Sequence, residues 1–208
     1  MKIKEIYKLF CRLYNKNPIE NIEDYLIVTQ SDENCKLIGN KTFGREALLL
    51  KENGDSLEMA LFIAPEIVTM LEFGNCLDHT DELSCATEGI SHLFYVAERA
   101  SHDRKVSQLE IELQGEVDKF LFLHLLASEE LKAVPPKYFI QQFENFSLDK
   151  NLNSEEKERY ELASHFAAKY CAHLYEHYFN PLRRWNLITE AREFFEKDFC
   201  SKLKRLIP

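Results

Sequence analysis

The first fifteen residues alternate apolar and basic positions with the period of an α-helix. Ile3, Ile6, Tyr7 and Phe10 fall on one face, while lysine and arginine residues occupy another. This pattern predicts an amphipathic helix at residues 2–15. The helical pattern then ends. Residues 25–29 are rich in β-branched and aromatic side chains and predict a strand, and residues 35–38 predict a second, short strand.

The next signal is a pair of apolar stretches, residues 46–51 and 57–63, on either side of Asn53 and Gly54. An Asn-Gly dipeptide accepts the positive φ angles that a two-residue hairpin turn requires. The sequence therefore predicts a β-hairpin there. With the earlier strands it would form a small antiparallel sheet in the first third of the chain.

From residue 65 onward the pattern is helical and predicts a bundle of about five helices. Residues that typically start helices stand before or at the beginning of these segments. They are Pro65, the capping-box pairs Ser107 with Glu110 and Asn153 with Glu156, and Thr189. Strands followed by helices are typical of the α+β class, here predominantly helical.

Length and composition bound the organisation of this fold. The chain has 208 residues, of which 45% are hydrophobic and 29% charged, as expected for a globular protein with its own core. We find no linker, and predict a single domain, 1–208, made of an N-terminal helix and small sheet (1–64) and a helical bundle (65–208). The longest strongly apolar stretch, residues 120–127, is too short for a membrane span.

The cysteines indicate a compartment. Six are spread along the chain without any C-x-x-C pair, whereas disulfide-stapled secreted domains are shorter and denser in cysteine. We therefore predict reduced thiols and a cytoplasmic protein.

Histidines and acids that fall on inward helix faces are the candidate ligands for a zinc-like divalent metal. His173 and His177 are one turn apart on the longest predicted helix, so their imidazoles can point the same way. Projection of the helix starting near Ser107 places Glu110 within its apolar face and Glu116 at its edge. The alternative interpretation is that the imidazoles bond only a carbonyl or water and that Glu110 serves the capping box.

A further stripe on the predicted helix 80–100 pairs Glu88 with His92, four residues apart. A carboxylate at this spacing can bond an imidazole and fix its tautomer. The stripe projects away from the main apolar face, so we expect it to be exposed unless another helix covers it.

Clustered basic residues near the chain end raise the possibility of nucleic-acid contact. Two arginines and the single tryptophan are adjacent, and three more basic residues follow on the last predicted helix. The candidates are Arg183, Arg184, Trp185, Lys202, Lys204 and Arg205. The net charge of -9 opposes a broad polyanion-binding surface.

Three function classes remain open from the sequence. The preferred one is a binding or assembly module that docks a protein partner or a second copy, because no phosphate loop, nucleophile elbow or zinc-protease motif is present. The alternative is a metal-dependent enzyme of hydrolase type, with a His/Glu site between bundle helices. The second alternative is nucleic-acid contact through the basic termini.

Overall fold

The computed structural model describes residues 2–27, 44–54, 56–73, 78–131, 142–143, 152–178 and 184–206. These residues form seven α-helices and a three-stranded sheet in the first third, which confirms the predominantly helical α+β class. The chain divides into two compact units, Met1–Lys105 and Val106–Pro208. The division falls after residue 105, so the sheet and the two helices that follow it belong to one unit. A single domain over 1–208 stays a prediction.

Helix α1 (Ile3–Tyr14) opens the first unit and buries the predicted face of Ile3, Ile6, Tyr7 and Phe10. It ends at Asn15, whose φ of 53° is the left-handed conformation that stops a helix. A short 3-10 helix, Ile22–Tyr25, follows and leads directly into the sheet.

The sheet consists of β1 (Leu26–Ile27), β2 (Glu46–Asn53) and β3 (Ser56–Ile63), with β3 in the centre. The hairpin around Asn53 is confirmed, since β2 and β3 pair antiparallel and Gly54 takes a φ of 59°. Asn53 itself is the last residue of β2, paired with Ser56, and does not take the positive φ that the predicted turn gave it. The sheet is mixed, however, and not antiparallel throughout, because β1 runs parallel to β3 along its other edge. The predicted strand at residues 35–38 lies outside the described residues.

Helices α2 (Pro65–Phe73) and α3 (Thr80–Ala100) complete the first unit. Helix α3 packs against β2, β3, α1 and α2 and is the centre of this unit. The ring of Phe94 lies 5.8 Å from that of Tyr7 and 5.7 Å from that of Phe10, measured between centroids. This aromatic cluster fixes α1 against α3.

The second unit begins with α4 (Gln108–Leu131) and α5 (Ser154–Tyr178), which pack along each other. Both start at predicted caps. Ser107 Oγ accepts a hydrogen bond from the backbone N–H of Glu110 at 3.2 Å. Asn153 and Glu156 form the full reciprocal box, with both bonds at 2.9 Å.

The end of the chain forms two helices, α6 (Arg184–Glu196) and α7 (Phe199–Leu206), where the sequence predicted one helix starting at Thr189. Thr189 lies inside α6 and its hydroxyl bonds the carbonyl of Trp185. The break falls at Asp198, whose carboxylate accepts bonds from the backbone N–H and the hydroxyl of Ser201 and so caps α7. Within the described part of the chain, no helix is both long and apolar enough to cross a membrane.

Candidate metal site

Glu88 and His92 lie one turn apart on α3, and their burial differs from the prediction. His92 is only 6% exposed and Glu88 is half-buried. The expected exposed stripe is wrong, because α3 is buried around nearly its whole circumference from residue 86 to residue 99. Farther along the stripe, the guanidinium of Arg99 donates to the hydroxyl of Tyr95 at 2.6 Å and lies over its ring.

Gly89, immediately after Glu88, brings a further carboxylate close to this helix. A Cβ placed on Gly89 would lie 2.9 Å from Glu46 Oε2, at the start of β2, and 3.0 Å from Leu61 Cδ1. The missing side chain therefore lets the Glu46 carboxylate approach the backbone of α3. Neither Gly89 nor Glu46 was predicted from the sequence, since the proximity of β2 to α3 is a tertiary feature without a local signal.

Within the first unit, Glu88 and His92 are residues of types that bind metal ions, and their ligand atoms lie within 4.8 Å of one another. The pair offers one carboxylate oxygen and one imidazole nitrogen. The Glu46 carboxylate, which approaches α3 at Gly89, is a further acid beside this helix.

The two predicted acids of α4 are buried and engage neighbours inside the second unit. The backbone N–H of Glu110 is capped by Ser107, as predicted. Glu116 accepts a bond from the ammonium of Lys119 at 2.7 Å and another from the side-chain amide of Gln142 at 3.1 Å. Glu116 therefore serves a local polar network.

His173 and His177 lie together near the end of α5, but both are exposed, where the sequence predicted partial burial. Their ring centroids are 4.4 Å apart. His177 Nδ1 bonds the carbonyl oxygen of His173 at 2.9 Å. The prediction that they face the same way is met, while their predicted place on the inward side is not.

The predicted nucleic-acid residues do not form one exposed basic surface in the described structure. Lys202 is fully buried, and its ammonium donates to Gln114 Oε1 at 2.8 Å. Arg205 forms an ion pair with the buried Glu190 at 2.8 Å. Lys204, Arg205 and Trp185 are exposed, and Arg183 lies outside the described residues. Arg184 is the first residue of α6, with its side chain not described.

The prediction that Lys202 contacts nucleic acid is therefore wrong, because its side chain is buried. The apolar side of α7 faces inward, and Lys202 lies on it with its ammonium 5.0 Å from the centre of the Phe194 ring. Gln114 in turn donates to the buried carboxylate of Asp118 at 3.0 Å. These partners replace the water that the ammonium loses on burial.

The comparisons with known proteins add no family to this picture. No protein-family model, no curated protein and no solved structure matches the chain significantly.

Proposed function

We propose that this protein binds a divalent metal ion of the zinc class through Glu88 and His92 of α3. The observation that supports the proposal is that a carboxylate and a buried imidazole lie one helical turn apart, with ligand atoms within 4.8 Å of each other. The proposal narrows the alternative derived from the sequence, a His/Glu metal site, to this pair.

The helical spacing of the first two ligands supports the proposal. Residues four positions apart project from the same face of an α-helix, so the Glu88 carboxylate and the His92 imidazole can bind one ion without a change in backbone. The rigid core of α3 holds both side chains, and pre-organised ligands lose less conformational entropy when the ion binds. Partial burial also lowers the local dielectric and strengthens attraction to a cation.

The ligand set also indicates the chemistry of the ion. One imidazole and one carboxylate suit zinc and neighbouring first-row metals better than a thiolate-selective ion. Two protein ligands leave positions for water on the ion, and zinc lowers the pKa of its bound water to about 7. A hydrolytic activity is the reaction class that such a zinc-bound water would support.

The test is zinc binding by the full chain, measured by elemental analysis and by calorimetric titration with Zn²⁺. The variants are Glu88→Gln and His92→Gln, which replace each ligand by a polar side chain of similar size. Glu82→Gln, on the same helix, and His102→Gln, exposed just after it, are the matched controls. Far-UV circular dichroism shows whether each variant is folded.

We expect a high-affinity site for one zinc ion per chain, with at least tenfold weaker binding in each ligand variant, since lost ligands typically cost one to two orders of magnitude (about 10–100-fold) in metal affinity. The controls should bind as the wild type does. Absence of this site, or an affinity unchanged in both folded variants, would contradict the proposal.

A second candidate function, the binding or assembly module favoured by the sequence, draws on another observation. Phe73, at the end of α2, is 86% exposed, and Met70, one turn earlier, is 41% exposed. Such side chains are commonly buried at protein interfaces. We propose self-association through them, tested by sedimentation velocity: wild type should dimerise and Phe73→Ser should not. A wild type monomeric at 100 µM or above, roughly the weak end of specific self-association, would contradict it.

The cytoplasmic location stays a proposal and rests on the cysteine pattern. Four cysteines lie in the described residues, and all four carry free thiols: Cys11, Cys85, Cys171 and Cys200. Burial raises the pKa of the Cys171 thiol, as expected for a structural residue.

A further inference from the structure

The His173–His177 pair belongs to neither candidate function, and its geometry suits a pair of metal ligands on the protein surface. The two residues are one turn apart on α5, both exposed, with ring centroids 4.4 Å apart and planes inclined by 34°. Neighbouring imidazoles on one turn of a helix can bind a single metal ion as a chelate. An exposed position gives a hydrated ion direct access to them.

The hydrogen bond at His177 fixes which nitrogen is offered to a ligand. Its Nδ1 lies 2.9 Å from the carbonyl oxygen of His173. A carbonyl only accepts hydrogen bonds, so Nδ1 must carry the proton and donate. In the neutral ring Nε2 then holds the lone pair and is the atom that can bind a metal. Metal-ligating histidines commonly use this arrangement, in which the second nitrogen donates to a carbonyl.

The position of the pair on the helix adds to its affinity for a cation. Helix α5 ends at Tyr178, so His177 is in its last turn and His173 in the turn before. The partial negative charge of a helix C-terminus stabilises cations nearby. The pair therefore offers His177 Nε2 as a ligand atom, lies where the helix end favours a positive charge, and is accessible to an ion from solvent.

We propose that His173 and His177 form a surface site for a first-row transition-metal dication of the copper, nickel and zinc class. Imidazole suits these metals, and Cu²⁺ binds most tightly among them. Only two protein ligands are supplied, so the remaining positions hold water and the ion is exchangeable. The site shares no residue with the pair of Glu88 and His92, so the two proposals can be tested separately.

The probe is Cu²⁺ alone, added to the untagged full chain and followed by electron paramagnetic resonance and calorimetric titration. The variants are His173→Ala and His177→Ala, both on an exposed face where truncation leaves the fold intact. His165→Ala, an exposed histidine earlier on α5, is the matched control. His92→Gln is included to separate any copper held by the other candidate site.

Wild type, His165→Ala and His92→Gln should all show a copper signal split by two imidazole nitrogens. Each alanine variant of the pair should lose that signal and bind copper at least tenfold more weakly at this site, because the second imidazole acts as an intramolecular ligand at roughly millimolar effective concentration. A signal that survives in both variants, or one that only His92→Gln removes, would overturn the proposal. Loss in His165→Ala as well as in the pair would also overturn it.

Discussion

Replacing Lys202 by alanine should destabilise the second unit far more than replacing Lys204, two residues away on the same helix. Lys202 is fully buried, and its ammonium donates to Gln114 Oε1 at 2.8 Å. Lys204 is exposed. The two substitutions are identical in chemistry, so the difference between them reports the environment alone.

The magnitude follows from two losses. Truncation to alanine removes three buried methylenes, worth about 0.8 kcal/mol each or about 2 kcal/mol together. It also removes a charged donor from the buried oxygen of Gln114, which costs about 1–3 kcal/mol. The Lys202→Ala variant should therefore lose about 3–5 kcal/mol, whereas exposed Lys204→Ala should change stability by less than about 0.5 kcal/mol.

A Lys202→Met variant separates the two losses. Methionine fills a similar volume, so the packing loss should be largely recovered and stability should exceed that of Lys202→Ala by about 2 kcal/mol. Urea unfolding followed by far-UV circular dichroism and by the fluorescence of Trp185, the single tryptophan, measures these differences in the second unit. Equal stability of Lys202→Ala and Lys204→Ala would refute the buried placement of Lys202.

Three further predictions address other described contacts. Gly89→Ala should destabilise the first unit by about 1–3 kcal/mol in urea unfolding, because the new Cβ would lie 2.9 Å from Glu46 Oε2. Adding Glu46→Ala should relieve part of this loss. If the stability losses of the two single variants simply add in the double variant, the contact is contradicted. Burial lowers the pKa of His124 from its ordinary 6.5 to about 4. The stability contributed by the neutral ring is therefore complete above pH 6.5, and about 3 kcal/mol of it is lost as the pH falls from 6.5 through 4. Unfolding at several pH values should show this slope, and His124→Gln should remove it. Tyr170→Phe should cost about 1 kcal/mol by removing its hydroxyl from the backbone and side-chain oxygens of Glu190, and an unchanged urea midpoint would count against these bonds.

The elements set by local chemistry could be predicted from the sequence. The Asn53-Gly54 turn, the Asn153–Glu156 box and the apolar face of α1 each depend on residues within a few positions of one another. These signals are local sequence patterns, namely a hydrophobic period, a helix cap or a turn dipeptide, and tertiary packing did not override them.

Features that depend on distant packing could not be predicted in this way. The parallel pairing of β1 with β3 joins residues 26–27 to residues 61–62, and nothing local at either end specifies its direction. The burial of His92 and Lys202 has the same origin. A helical projection treats the most apolar face of a helix as the buried one. A polar stripe that the fold also buries is therefore wrongly predicted to be exposed.

The candidate site illustrates both cases. The pairing of Glu88 with His92 follows from helical spacing and was predicted, whereas the approach of Glu46 to α3 depends on the fold. His173 and His177 were predicted to face the same way, and they do, but on the exposed side of α5. Spacing thus identified which side chains meet within a helix, and the fold decided which of them are buried.

Anomalous diffraction at the zinc absorption edge, from crystals of the full chain grown with Zn²⁺, tests the central claim most directly. The account predicts a strong peak at roughly zinc-ligand distance, about 2.0–2.2 Å, from a ring nitrogen of His92 and from a carboxylate oxygen of Glu88. A map in which zinc occupies other positions and leaves both side chains unliganded would contradict it.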